Sequence, residues 1–281
     1  MQINGKIEAM YPVLFSYGPF SLKTMTVFLI FSFLSMGFIF WKRGKEEHYN
    51  EMEIFDSFLF SFIFALFVSR IAYILLNFSN FNFDFIKWID FISHPGSKLS
   101  FGLMAMSLAL YRFARKKKWD IFEILDFWTQ AVSLGLIFVY LGYFFDASFF
   151  GNVTSLPIGV MAKGVLEKQH PVQLYLALFY LLLFIYLSWL EFHYRTFEWY
   201  RFGKKSAQTG FLFCNFIIVN AIVHFGMSFL RLPEIVINDF AVERIIYIVF
   251  LILALILLWF RSGRSLLPSR KTRIWAKRQK I

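Results

Sequence analysis

Seven stretches of this chain, residues 20–41, 55–77, 99–114, 121–145, 172–192, 208–230 and 242–260, are apolar over about the 20 residues that a helix needs to cross a bilayer. In lipid a spanning segment must satisfy its own backbone N–H and C=O groups, so such runs fold as helices. The predicted fold is therefore an all-α integral membrane protein of about seven transmembrane helices, forming a single polytopic domain over residues 1–281. The run 99–114 is the weakest, being short and interrupted by Ser100 and Ser107. The composition agrees, with 58% hydrophobic residues and 40 Phe, more apolar than the roughly 45–50% of a soluble domain. Lipid-facing positions accept Phe freely, which accounts for its surplus.

The net charge of +11 is distributed unevenly. With seven spans, most of the 29 Lys and Arg fall in alternate loops: Lys42 to Lys45, Arg112 to Lys118, Arg195 to Lys205 and the tail 261–281. The other loops hold Lys6, Lys87, Lys98, Lys163, Lys168 and Arg231. Positive loops stay cytoplasmic. The expectation is an N-terminus outside, an extracytoplasmic segment at 146–171, and a C-terminal basic tail at 261–281 on anionic headgroups. Charge placed this way points to the membrane as partner and not to nucleic acid. Residues 1–19 lack the charged, apolar and small-residue order of a cleavable signal. The single cysteine, Cys214, lies within the sixth span, where a small buried apolar residue is expected.

Polar residues inside or at the ends of spans are costly and so mark positions of interest. Arg70 sits near the outer end of the second span, with snorkelling to the interface as its plain alternative. Asp126 and Asp146 lie at opposite ends of the fourth. Asn220 and His224 are four residues apart and share a helical face. Arg231 precedes Pro233 and Glu234. His170-Pro171-Val172-Gln173 opens the fifth span, with Pro171 in a helix-starting role. Arg70, Asp146, His170, Gln173, His224 and Arg231 all map to the outer surface, which predicts a polar cavity there. Two guanidinium groups suit a phosphate headgroup, and a neutral His can take a thiol proton. No metal-ligand spacing, nucleotide loop or serine elbow is present, and no cofactor is indicated.

Several stretches, taken in order, resemble the prolipoprotein diacylglyceryl transferases. They are Pro12-Val13-Leu14-Phe15 with Gly18-Pro19-Phe20-Ser21, Ser69-Arg70-Ile71-Ala72-Tyr73, Leu99-Ser100-Phe101-Gly102, and Phe113-Ala114-Arg115-Lys116 with Asp126. Thr154-Ser155-Leu156-Pro157-Ile158-Gly159-Val160, His170-Pro171-Val172-Gln173-Leu174-Tyr175 and Leu230-Arg231-Leu232-Pro233-Glu234 complete the series. The resemblance implies seven spans in the bacterial cytoplasmic membrane. It also implies transfer of diacylglycerol from phosphatidylglycerol, or a related phospholipid, to the lipobox cysteine of a prolipoprotein signal peptide.

Against that family pattern the chain departs at named positions. Gly102 stands where the family has histidine, and Tyr140 where it has arginine. Tyr143 and Asp146 replace two asparagines, Ser148 a glutamate, Thr24-Met25 an aromatic pair, and Asn220 and His224 a tyrosine and an arginine. Arg70, Gly142, His170, Gln173 and Arg231 are kept. Under the enzyme reading the catalytic candidates are His170, His224 and Arg231, and Arg70, Asp146, Gln173 and Asn220 bind substrate. The alternative is a degenerate member that holds lipid or partner proteins without chemistry. A transporter, the third reading, would show broken spans or paired charges near the midplane.

Overall fold

A computed structural model of the chain describes residues 11–18, 20–90, 94–161, 167–194, 208–231, 236–237 and 240–261. Residues 1–10, Lys163, the basic loop 195–207, the Pro233-Glu234 pair and the basic tail beyond Arg261 lie outside the described residues.

The chain enters through an antiparallel hairpin, β1 (Val13–Tyr17) and β2 (Phe20–Lys23), turned at Gly18 with φ +58°. Helix α1 (Thr24–Glu46) follows directly, then α2 (Glu51–Leu76), the short α3 (Phe78–Phe81) and α4 (Phe85–Ile89), and α5 (Leu99–Lys117). α6 (Ile121–Phe145) leads through a segment with the two-residue strands β3 (Val160–Met161) and β4 (Lys168–Gln169) into α7 (Val172–Tyr194). α8 (Phe211–Met227), the strands β5 (Val236–Ile237) and β6 (Phe240–Ala241), and α9 (Val242–Arg261) complete it.

α6 is the axis of the bundle. Its residues are buried without a break from Ile124 to Ser133, whereas α9 at the periphery buries Ala254. Gly135 and Gly142 let α1 approach, since a Cβ at either would run into Met36 or Met25. Small residues at helix contacts are the means of close packing in lipid, where burial of apolar surface gives no drive. Buried hydroxyls close on their own helices: Ser57 donates to Ile54 O at 2.7 Å and Ser133 to Thr129 O at 2.7 Å.

The ends of the helices are set by capping residues. Asn50 accepts from the amides of Met52 and Glu53, and Asp120 from those of Phe122 and Glu123. α5 stops at Lys118, whose φ is +59°, after three basic residues in its last turn. Asp126, fully buried, accepts from the amides of Gly210 and Phe213 at 2.8 Å each. A carboxylate on α6 thus holds the N-terminus of α8, whose Gly210 has φ +89°. At the same end Arg43 reaches Glu191 and Gln130, both at 2.6 Å, and Gln130 donates to Glu191 at 2.6 Å, joining α1, α6 and α7.

Nearby, Tyr49 donates to Glu123 at 2.5 Å; burial and that carboxylate push its phenol well above the ordinary range.

The predicted spans meet helices, with shifts. Residues 20–23 belong to β2, because they pair with 13–17, so the first helix starts at Thr24. The second starts at Glu51, behind the Asn50 cap. α1, α2, α6, α7 and α9 are long and apolar enough to cross a membrane. α5 has 19 residues but carries Arg112, Arg115, Lys116 and Lys117 in its last turns. α8 is apolar over 17 residues, shorter than the predicted 208–230, because Gly210 begins it and turns follow Met227.

Candidate functional site

The helix ends near Leu76, Phe145, Val172 and Met227 carry most of the sequence-predicted site residues. Arg70 is 4% exposed, and all five of its guanidinium N–H groups meet backbone carbonyls. Nε donates to Trp88 O at 3.0 Å, Nη1 to His94 O and Gly96 O at 2.8 and 3.0 Å, and Nη2 to Lys87 O and Asp90 O at 3.1 and 3.2 Å. Its fork is spent on the connection between α4 and α5.

The segment after α6 is stitched to the entrance of α7 and the exit of α8. His170 N donates to Asn152 O, Gly151 N to His170 O, and Asn152 N to Leu230 O at 2.7 Å. Gly151 is needed for this approach, since a Cβ there would lie 2.5 Å from the Leu230 carbonyl oxygen. The His170 ring is half-buried, with Nδ1 3.4 Å from the Tyr175 hydroxyl. Gln173 is fully buried and donates to Ser148 O at 2.5 Å; its Oε1 has no partner among the described residues. Asp146 caps α6, and burial raises its carboxyl above the usual range while Lys23 and Ser148 pull it back. Arg231 pairs with Glu243 at 3.0 Å and lies 4.3 Å over the Phe149 ring.

A cavity of about 630 Å³ opens between α2, α5, α6, α7, α8 and α9, within the range of small-molecule sites. Most of its wall is apolar, including Phe64, Leu103, Leu108, Phe216 and Phe250. The polar lining is Ser100 and Ser107 on α5 and one cluster on α6, α7, α8 and α9. The Tyr180 hydroxyl is 2.7 Å from Asn220 Oδ1 and 2.9 Å from His224 Nε2. Tyr140 stacks on Tyr180 with centroids 5.5 Å apart and planes 11° apart, and Tyr247 lies 5.6 Å from His224. Arg231 is one aromatic layer behind, because Phe149 packs 5.9 Å from Tyr140.

The site is thus a largely apolar chamber with a tyrosine–asparagine–histidine edge. The model of a known family, described as prolipoprotein diacylglyceryl transferase, matches residues 12–260, which contain every residue of this cluster. The chain belongs to that family. Proteins named phosphatidylglycerol–prolipoprotein diacylglyceryl transferase from three bacteria are similar along most of their length. That of Clostridium tetani is 25% identical over 229 residues, 79% of this chain and 86% of its own. Ehrlichia canis has one 28% identical over 241 residues, covering 83% and 87%. The protein of Aeromonas salmonicida is 28% identical over 236 residues, covering 79% and 78%. Transferase membership and a membrane-embedded, helical body are accordingly features of this chain.

Within this diacylglyceryl transferase family member, the geometry separates the residues singled out from sequence. Asn220 and His224 line the cavity together. Arg231 stands behind the wall, and Arg70, Asp146, His170 and Gln173 do not line it. This cavity differs from the one of two arginines and two histidines expected from sequence: His224 lines it, while backbone carbonyls hold Arg70 and Glu243 pairs with Arg231. Gly102 faces α2, where a Cβ would lie 3.1 Å from Ser69 Cβ. Tyr180 and Tyr247 were missed by the sequence reading. A tyrosine inside an apolar run, whose O–H must find a partner when buried, is the signal that points to Tyr180.

Proposed function

We propose that the chain is a diacylglyceryl transferase of the bacterial cytoplasmic membrane, with seven spans, its N-terminus outside and its basic C-terminus in the cytoplasm. The donor is phosphatidylglycerol or a close relative, and the acceptor is the lipobox cysteine thiol of a prolipoprotein. The observation that carries this reading is the apolar cavity with the Tyr180–Asn220–His224 edge. Acyl chains have an apolar chamber, and the reacting thiol has a histidine within it. The alternating basic loops support the orientation, and the names of the relatives support the substrates.

In the reaction the cysteine thiol loses its proton and its sulfur attacks the glyceryl carbon that bears the phosphate. The S–C bond forms as the C–O bond breaks, and glycerol phosphate leaves with the thiol's proton. His224 is the base, and Arg231, paired with Glu243, acts on the charge of the leaving phosphate from behind the Phe149–Tyr140 layer. Asn220 orders the edge. In this reading His170, Gln173 and Asp146 hold the outer segment, and Arg70 holds the α4–α5 connection.

A second reading keeps the cavity and drops the chemistry: a lipid-holding family member. It is favoured by one observation, that among the described residues no lining side chain bears a fixed charge. Complementation of a transferase-depleted strain decides between them. The transferase reading expects growth with the parent chain and loss of growth with His224→Gln and Arg231→Ala at equal expression. A well-expressed parent that fails to rescue is the outcome of the second.

A further inference from the structure

The hydrogen bonds at the cavity edge have a direction fixed by their first member. Asn220 lies on α8 with its side-chain amide 2.9 Å from the Phe216 carbonyl. A carbonyl only accepts, so Asn220 Nδ2 points to it and Oδ1 must face Tyr180. Oδ1 also only accepts, so the Tyr180 hydroxyl spends its single hydrogen there, at 2.7 Å, and the neighbouring Tyr140 phenol can meet that oxygen only as a donor. What remains on the Tyr180 oxygen is lone pair. His224 Nε2 lies 2.9 Å from that oxygen, and a hydrogen bond between them therefore requires the proton on Nε2.

We propose that Tyr180 is a positioning residue that holds His224 as its Nε2–H tautomer and leaves Nδ1 as the proton acceptor of the cavity. Nδ1 has no hydrogen-bond partner among the described residues, and His224 lines the chamber. Tyr180 itself is 3% exposed and is clamped by the Tyr140 ring, so the relay does not swing. A second hydrogen-bonded group that orients the base is the general logic of such sites. The base role of Nδ1 rests on the transfer reaction proposed above; the proton order does not. In that reaction the thiol proton passes to Nδ1, the sulfur attacks carbon, and the departing phosphate oxygen takes the proton back.

The test is nitrogen NMR on the full chain, labelled with ¹⁵N-histidine in phosphatidylglycerol nanodiscs, with His224 assigned by the loss of its signals in His224→Gln. The parent is expected to show a protonated Nε2 and an unprotonated Nδ1. Asn220→Leu frees the Tyr180 hydrogen to point at Nε2, so the tautomer inverts, whereas Asn220→Asp keeps an acceptor and keeps the parent pattern. Tyr180→Phe, which removes only the oxygen, lets the two tautomers mix. A parent with its proton on Nδ1, or an Asn220→Leu spectrum unchanged from it, overturns the proposal. Transfer kinetics follow in the same nanodiscs with a lipobox peptide. His224→Gln is expected to lower kcat about 100-fold or more, the scale of a lost general base. Tyr180→Phe is expected to lower kcat with KM within about twofold, as for a group acting only in the transition state. Undiminished transfer by His224→Gln overturns the acceptor role of Nδ1. The expected tautomers in a parent that transfers nothing overturn the transferase reading and leave the proton order standing.

Discussion

Replacing Arg70 with methionine removes the staple between α2 and the α4–α5 connection and keeps most of the buried aliphatic stem. Five hydrogen bonds of 2.8–3.2 Å are lost, to Lys87, Trp88, Asp90, His94 and Gly96. A hydrogen bond to a charged group contributes about 1.5–3 kcal/mol, so simple addition would exceed the stability of many domains. Addition does not apply here, because the connection is partly exposed and its carbonyls take water once it lifts. The expected loss is about 2–3 kcal/mol, that of one or two carbonyls left without a donor while the others take water. Arg70→Lys restores the charge but supplies three donors in place of five, and recovers part of that loss. The assay is hydrogen exchange in detergent with a melting curve beside it. Amides of the connection, including Lys98, which donates to Ser69 O at 3.0 Å, should lose protection while α6 keeps its own. A parent-like melting point with residues 84–90 and 94–98 still protected would refute the staple and return Arg70 to the headgroup role expected from sequence.

The remaining predictions concern other joints of the bundle. Asp126→Ala leaves two buried amides at the start of α8 without an acceptor and should cost about 2–5 kcal/mol; Asp126→Asn, with one acceptor left, should cost less, as read by melting temperature. Asp146→Asn should raise the melting temperature at pH 8, because burial lifts the Asp146 carboxyl above its unfolded value and ionisation therefore opposes folding. That advantage should fade as pH falls through the carboxylate range, since the parent's contribution is complete below the unfolded pKa and lost as pH rises past the folded one. An Asp146→Asn protein less stable than the parent at pH 8 contradicts the sign. Gly151→Ala pushes a methyl against the Leu230 carbonyl and should cost about 1–3 kcal/mol. An unchanged melting temperature would show that the outer segment yields there.

Much of the helical body was legible because the length of an apolar run is itself a structural statement in a membrane. The span 121–145 matches α6 at both ends, since Asp120 and Asp146 flank it as polar stops. Phe20 to Lys23 was absorbed into the first span because hydropathy does not distinguish a strand from the helix it leads into. The pair Asn220 and His224 was readable from its spacing alone. Tyr180 offered only a hydroxyl inside an apolar run, because the partners of that hydroxyl lie 40 and 44 residues away on another helix. The arginines show the same limit. Their charge is visible in sequence, but the carbonyls that hold Arg70 belong to the backbone and carry no residue signature. Gln130 and Glu191 bind Arg43 through side chains, and their pairing was not legible because Arg43 lies on another helix, 87 residues before Gln130.

Diacylglyceryl transfer at the cavity edge, with His224 as its base, is the proposed activity of the chain. The most direct measurement is mass spectrometry of a lipobox peptide incubated with the purified chain in phosphatidylglycerol vesicles. The parent is expected to leave a diacylglyceryl thioether on the cysteine, and His224→Gln to form it about 100-fold or more slowly. A folded parent that leaves the peptide unmodified, or a His224→Gln protein that modifies it at the parent rate, contradicts it.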